Sequence, residues 1–404
     1  MPQADCIIAG GGIGGALLAL ILGRAGKQIV LLERDIAPFS AGRPEVLASS
    51  TIETLCRYGI EEKILQTAAL PLDGLELYEA GGKPLLHFSA GDFKAEGFRP
   101  YSTDPARTRQ MLLEAAIATR SVEVLRGVEV KELLFEKNFV RGVRAQQAGA
   151  MKEWRAPLVI GDDGGHSRIR EGLGISLKTR EFPLEFLGAA GPRFAGMKEK
   201  TGQAWMRPGG FKREIFGGIF LPQPQEKMAF VLLVSLEAHE RLMEASSVQF
   251  FESVKRLTPL GEEIEKSFSF PKDFTVFRRP FGLVPRYVAN GAALLGDAAH
   301  PVTPAGGQGA NGSVADAVAL AETALEAFHK NDFSREQLLC YEAKRRPAHE
   351  RSIRFSVWSR RVFLALKWFP RAGFLLPKFL KKVERDSKMK RNFIRNISTA
   401  FATR

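Results

Sequence analysis

The chain has 404 residues, 45% of them apolar, and 58 Lys and Arg against 45 Asp and Glu give a net charge of +13. At roughly 100–200 residues per domain, that length asks for two or three units with ample core, which excludes a wholly disordered chain. Positions 345–404 hold 17 basic and three acidic residues, leaving 41 basic and 42 acidic in positions 1–344, so the excess charge belongs to the tail. That distribution argues against a basic groove for nucleic acid through the body.

Cys6, Cys56 and Cys340 lie far apart, with no pair at metal-ligand or redox spacing, and three cysteines cannot build a disulfide framework. A cytoplasmic compartment and no metal centre are expected. There is neither a basic leader with a cleavage site nor an uncharged apolar run of about 18 residues, so neither secretion nor a membrane span is expected.

In chain order, Asp5 to Ala9, a glycine cluster, Ala16 to Leu22 and Ile29 to Leu32 predict strand, tight turn, helix and strand. Gly74 to Tyr78, Val122 to Leu125, Leu133 to Val143 and Leu158 to Ile160 read as strand-like, with helical texture near Ser50 to Tyr58 and Thr108 to Thr119. From about Lys178 to Arg286 the texture becomes Phe-rich. Strand runs at Ile215 to Leu221 and Ala229 to Leu236 are divided by Pro and Gly turns, and one helix is predicted at Val248 to Leu257. The chain then returns to a buried strand, Ala292 to Leu295, and an Ala-rich helix from Gly309 to Lys330.

Gly10, Gly12 and Gly15 form G-x-G-x-x-G between the first strand and helix, with Ile13 and Gly14 inside the turn. In a dinucleotide fold the first glycine permits the turn, the second lets the backbone approach a pyrophosphate, and the third lets helix meet strand; the pyrophosphate sits on the helix N-terminus. Glu33, followed by Arg34, closes the second strand where a carboxylate can accept ribose hydroxyls. Because that carboxylate repels a 2′-phosphate, FAD or NAD is expected rather than NADP.

Two further motifs follow predicted strands. The first runs from Gly161 through Asp163 and Gly164 to Ser167 and Arg170; the second is Gly296-Asp297-Ala298-Ala299-His300-Pro301, continuing as Pro304 to Asn311. With the glycine turn, these resemble the p-hydroxybenzoate hydroxylase family of FAD monooxygenases, which includes the ubiquinone-biosynthesis hydroxylases. That family carries the same three elements in this order.

The resemblance implies an α/β fold: a Rossmann-like FAD-binding domain interleaved with a smaller sheet-based substrate domain, plus a C-terminal helical tail. The implied boundaries are 1–177 and 287–344 for the FAD domain, 178–286 with strands near 71–100 for the substrate domain, and 345–404 for the tail. In the cofactor site it implies Asp297 on ribityl hydroxyls, Pro304, Gly307, Gly309, Ala310 and Asn311 at the isoalloxazine, Asp163 organising the pocket, and Arg43 and Arg107 facing the cofactor. His300 is read as fixing the loop.

The implied reaction is hydroxylation or epoxidation of an aromatic or lipophilic unsaturated substrate by way of a flavin hydroperoxide, with NADH or NADPH as reductant. A flavin reductase resembling geranylgeranyl reductase and a non-enzymatic FAD-containing membrane adaptor are the alternatives. No substrate-activating residue emerges. Phe182, Phe186, Phe194, Phe211, Phe216, Phe220, Phe230 and Phe281 are candidates for a substrate pocket. In the tail, Phe355, Trp358, Phe363, Trp368 and Phe369 alternate with Arg and Lys. This pattern suits either peripheral contact with an anionic membrane or packing of the apolar side on the FAD domain.

Overall fold

In the computed structural model, residues 4–37, 44–208, 215–244, 246–278, 280–304 and 306–400 are described, the side chains of 370–372 and 396–400 excepted. The central sheet has six strands. From one edge they are Val288–Ala289, Ala292–Leu294, Leu158–Gly161, Cys6–Ala9, Ile29–Glu33 and Val122–Arg126, parallel but for the first. The runs Cys6 to Ala9 and Ile29 to Leu32 are continuously apolar because both faces of a parallel sheet are covered, and every residue of these strands is buried. The helix Ile13–Arg24 packs between Pro105–Ala118 and Gln308–Lys330. Pro105 opens its helix at a position where no amide hydrogen is needed, with Asp104 as N-cap accepting the Ala106 and Arg107 amides.

The single strand-like run Leu133 to Val143 proves to be two strands. Val128–Glu136 and Phe139–Gln147 pair antiparallel across a turn at Lys137, whose φ is +54°, and Ala150–Arg155 completes the sheet. Apolar periodicity ran through a turn that contains neither Gly nor Pro, so no breaker marked it.

A second large sheet has seven strands in the order Thr275–Phe277, Leu184–Pro192, Lys227–Ser235, Gly217–Gln223, Thr201–Met206, Gly74–Glu79 and Pro84–Ser89. The Gly74–Ser89 hairpin thus joins strands more than a hundred residues downstream through a parallel pairing with Thr201–Met206. One face of this sheet packs on Ser247–Leu257 and its neighbours around Phe220, Phe230, Phe250 and Leu257. Its other face looks toward the six-stranded unit.

The tail is helical. Arg335–Trp368 is one long helix, accommodating Pro347, followed by a 3₁₀ turn at Pro370–Leu375 and helices Leu376–Arg385 and Ser387–Ala400. Its later part packs chiefly on the seven-stranded sheet domain. Phe363 meets Phe182 and Phe216, while Leu380, Val383 and Ile394 join Leu85, Leu86, Phe88 and Phe93. No helix among the described residues is long and apolar enough to cross a membrane.

Candidate active site

The glycine turn is shaped by what crowds it. Gly10 sits at φ +97°, and a Cβ there would lie 2.3 Å from the Asp162 carbonyl oxygen; a Cβ on Gly12 would lie 2.6 Å from Asp162 Oδ2. Asp162 Oδ2 accepts the Gly15 amide at 2.8 Å, so the turn after the first strand is pinned by the loop after the Leu158–Gly161 strand. Burial raises the Asp162 carboxyl well above the usual range; the Gly15 bond opposes this, while the charges of Asp297 and Asp163 add to it.

Asp163, by contrast, accepts the Arg168 amide at 2.6 Å and the Ile169 amide at 3.1 Å and so starts the short helix Arg168–Gly172. The motif contains two adjacent aspartates, and the one beside the cavity is Asp162. Arg170 donates to Ala298 O at 3.0 Å and Gly165 O at 2.7 Å, tying this loop to the Gly296–Pro301 segment.

Glu33 is 7% exposed. Its Oε2 accepts the Gly11 amide at 2.9 Å and the Arg109 guanidinium, and Oε1 accepts the Asp35 amide at 2.9 Å. Two lone pairs per oxygen leave the carboxylate further acceptor capacity. Arg109 also donates to Gly11 O. Arg107 instead reaches Thr67 Oγ1 at 3.3 Å and Glu114 at the surface, so the arginine at the glycine turn is two residues beyond the expected one. On this helix a two-residue step turns the side chain to another face, and the run Arg107-Thr108-Arg109 does not by itself tell which arginine reaches the turn. Arg34 is largely exposed and pairs with Asp35. Arg43 lies outside the described residues.

A cavity of about 930 Å³ opens between the two large sheets. Gly12, Ile13 and Gly14 line one end of it, and Asp297, Pro304, Gly307, Gly309 and Ala310 another wall. Gly307, left-handed at φ +62°, starts the 23-residue helix Gln308–Lys330, whose N-terminus therefore faces the cavity. A Cβ on Gly309 would meet only Val302, at 3.9 Å, so any larger side chain would stand in the space the cavity keeps free. Gln308 Oε1, also in this wall, is buried without a hydrogen-bond partner among the described residues. An oriented helix N-terminus, a side-chain-free wall and an unsatisfied buried acceptor suit a flat, polar-edged ring system such as isoalloxazine.

Asn311 is spent on the protein. It accepts from Ala48 N at 2.9 Å and Thr51 Oγ1 at 2.7 Å and donates to Val46 O and Gly307 O, both at 2.9 Å, fastening the helix start to the segment after Pro44. His300 likewise turns away from the cavity. With His349 and Arg345 it surrounds the buried Asp316: His349 Nε2 lies 2.8 Å and Arg345 Nε 2.7 Å from Oδ1, and Tyr287 donates to His349 Nδ1 at 2.8 Å. Burial opposes the Asp316 charge, but His349, His300 and Arg345 outweigh it and hold the carboxyl well below its usual range. His349 is pushed down to about 4 by burial against the pull of Asp316. This cluster has metal-ligand residue types, yet Arg345 already neutralises the carboxylate and both His349 nitrogens are engaged, so it is a hydrogen-bonded hub.

The rest of the cavity is apolar and runs over the free face of the seven-stranded sheet. Of the expected phenylalanines, Phe182 and Phe186 line it. Phe194, Phe220 and Phe230 belong to the core on the opposite face, Phe216 and Phe281 pack behind the wall, and Phe211 lies outside the described residues. Sequence reasoning missed Phe88, Phe93, Phe98 and Phe277, and from the tail Phe355, Trp358, Phe363, Phe393 and Ile394.

The fold and site define a flavin-binding α/β protein, and comparison makes this specific. Residues 3–356 match the family described as FAD binding domain, and the chain belongs to that family. It is 27% identical over 373 residues to 6-methylpretetramide 4-monooxygenase of Streptomyces rimosus, covering 90% of this chain and 85% of that protein. It is 25% identical over 351 residues to ubiquinone hydroxylase UbiL of Rhodospirillum rubrum, covering 85% and 78%. The crystal structure of p-nitrophenol 4-monooxygenase PnpA from Pseudomonas putida superposes with a TM-score of 0.79 at 18% identity, over 100% of this chain and 99% of that one. The chain is an FAD-dependent monooxygenase.

Proposed function

We propose that this enzyme hydroxylates or epoxidises an aromatic or lipophilic unsaturated compound, using NADH or NADPH and dioxygen. The observation that carries the reading is the continuity of the cavity from the helix N-terminus at Gly307–Ala310 onto an apolar sheet face lined by Phe182, Phe186, Phe277 and Phe88. With strands about 4.8 Å apart, that floor is roughly 29 Å across, which suits a ring or an extended hydrocarbon better than a small polar molecule.

In this reading Gly10, Gly12, Ile13, Gly14 and Gly15 receive the pyrophosphate, and Glu33, steadied by Arg109, takes the ribose at the adenosine end. Asp297 takes ribityl hydroxyls, and Pro304, Gly307, Gly309 and Ala310 border the isoalloxazine. Bound FAD supplies the activation of dioxygen once a nicotinamide has reduced it. The protein's share is orientation and dryness: the apolar walls keep water from the reacting centre, and the helix dipole favours negative charge at the ring edge facing Gly307–Ala310.

Labelled dioxygen tests it. Candidate aromatic and polyprenyl compounds that stimulate NAD(P)H oxidation should return product carrying one labelled oxygen atom. Label found only in water or hydrogen peroxide would sink the proposal in favour of a reductase or oxidase.

A further inference from the structure

We propose that the outer ridge of the Arg335–Trp368 helix, continued by the Pro370–Leu375 turn and the start of Leu376–Arg385, docks flat on an anionic lipid bilayer. We propose further that the cavity opens toward that bilayer beside Trp358. The biological use of such a portal rests on the reading of a lipophilic substrate; the surface itself does not.

From position 351 onward the exposed positions of the helix are Arg351, Arg354, Trp358, Arg361, Ala365 and Trp368, with the exposed Glu350 just before them. Steps of three and four place them on one face, a strip roughly 26 Å long at 1.5 Å rise per residue. The inward face is already used: Ile353, Val357, Phe363 and Leu366 pack around Phe182 and Phe186. Core packing therefore does not explain why Trp358, Trp368 and Phe369 stand 59%, 68% and 69% exposed, nor why Phe374 and Phe379 follow at 58% and 48%. Among the described residues, Phe135 is the only other exposed large aromatic side chain.

The charge is equally one-sided. Between positions 351 and 383 there is no Asp or Glu, against nine Arg and Lys. A solvated helix face usually mixes signs. Of the nine, Lys367 pairs with Glu237 and Arg360 donates to Glu181 O, while Arg351, Arg354 and Arg361 share the outward strip with the tryptophans; such a strip suits phosphate headgroups over an apolar interior, with the indoles at the boundary. Two copies of this face would set like charges against each other, so self-association is disfavoured. Trp358 supplies the link to the active site, because it lies on this strip, is 59% exposed and also lines the cavity.

The test uses the full-length, FAD-loaded protein with vesicles of pure phosphatidylcholine or of phosphatidylcholine with phosphatidylglycerol, each prepared with and without brominated acyl chains. Binding is expected only with phosphatidylglycerol, and Arg351→Gln/Arg354→Gln/Arg361→Gln should weaken it by roughly a hundredfold at low salt, about fivefold per cation. Bromine should quench tryptophan emission of the wild type, and Trp358→Phe/Trp368→Phe, which keeps Trp154 and Trp205, should lose that quenching. No vesicle binding, binding indifferent to phosphatidylglycerol, or equal quenching in the double variant would each overturn the docking face. Oxygen incorporation is followed on the same preparations. A protein that oxygenates substrate but ignores vesicles refutes the docking face alone; one that binds vesicles but incorporates no oxygen refutes the proposed reaction alone.

Discussion

Asp162 and Gly15, 147 positions apart, are joined by a 2.8 Å hydrogen bond from the glycine amide to Oδ2. The bond fixes two loops that meet at the cavity, and the same carboxylate leaves no room for a side chain at Gly12.

Gly12→Val should therefore yield a protein with little or no flavin, read from visible absorbance per chain. If contact with Asp162 contributes to the loss, Gly12→Val/Asp162→Ala should recover part of the flavin, a non-additive outcome expected of touching residues. Normal flavin in Gly12→Val would show that the backbone approach is not needed.

The two neighbouring arginines should separate cleanly. Arg109→Ala leaves Glu33 buried beside the turn without its cation and should cost about 3–5 kcal/mol of stability, with weaker FAD binding. Arg107→Ala removes a surface pair with Glu114 and should change stability by no more than about 1 kcal/mol. Denaturant melts and FAD titration of the apoprotein decide; equal effects would refute the assignment of Arg109 to the turn.

Much of this site was legible because the glycine turn, Glu33 and the Gly296–Asn311 segment are local patterns: a few adjacent residues and the flanking strands define them. What escaped is non-local. Nothing adjacent in sequence tells Asp162 from Asp163; the distinction lies in Gly15 and in the amides of Arg168 and Ile169. The packing of the tail on the seven-stranded sheet likewise depends on pairings such as Phe88 with Phe393, 305 positions apart, which an apolar pattern cannot specify.

The Asp316 hub sets a pH dependence. His349 takes a proton near 6.5 when unfolded but only near 4 in the fold, so the unfolded chain binds more protons between these values. Stability should fall as pH drops from 6.5 toward 4 and change no further through this group below that. His349→Gln should flatten this window, and Arg345→Met, which strips the buried carboxylate of its cation, should cost about 3–5 kcal/mol at neutral pH. Melting curves against pH provide the check, and an unchanged slope in His349→Gln would refute the role of His349.

The last helix closes the far end of the cavity. Ile394 is 1% exposed, and it and Phe393 line the chamber together with Phe88, Phe93 and Phe98. Lys390 to Asp92 at 3.1 Å and Arg395 to Glu96 at 3.0 Å hold the helix in place. A chain ending at Asp386 would keep the glycine turn and the Gly296–Asn311 wall, so FAD should remain bound, but water would enter over the exposed phenylalanines. Oxygen activated in a wet site is lost from the productive path. The truncated enzyme should therefore go on consuming NAD(P)H while the yield of oxygenated product per NAD(P)H falls and hydrogen peroxide rises. Ile394→Ser makes the same opening smaller and keeps the helix, and should lie between wild type and truncation. Product yield unchanged in both variants would mean that this end of the chamber takes no part in shielding the reaction.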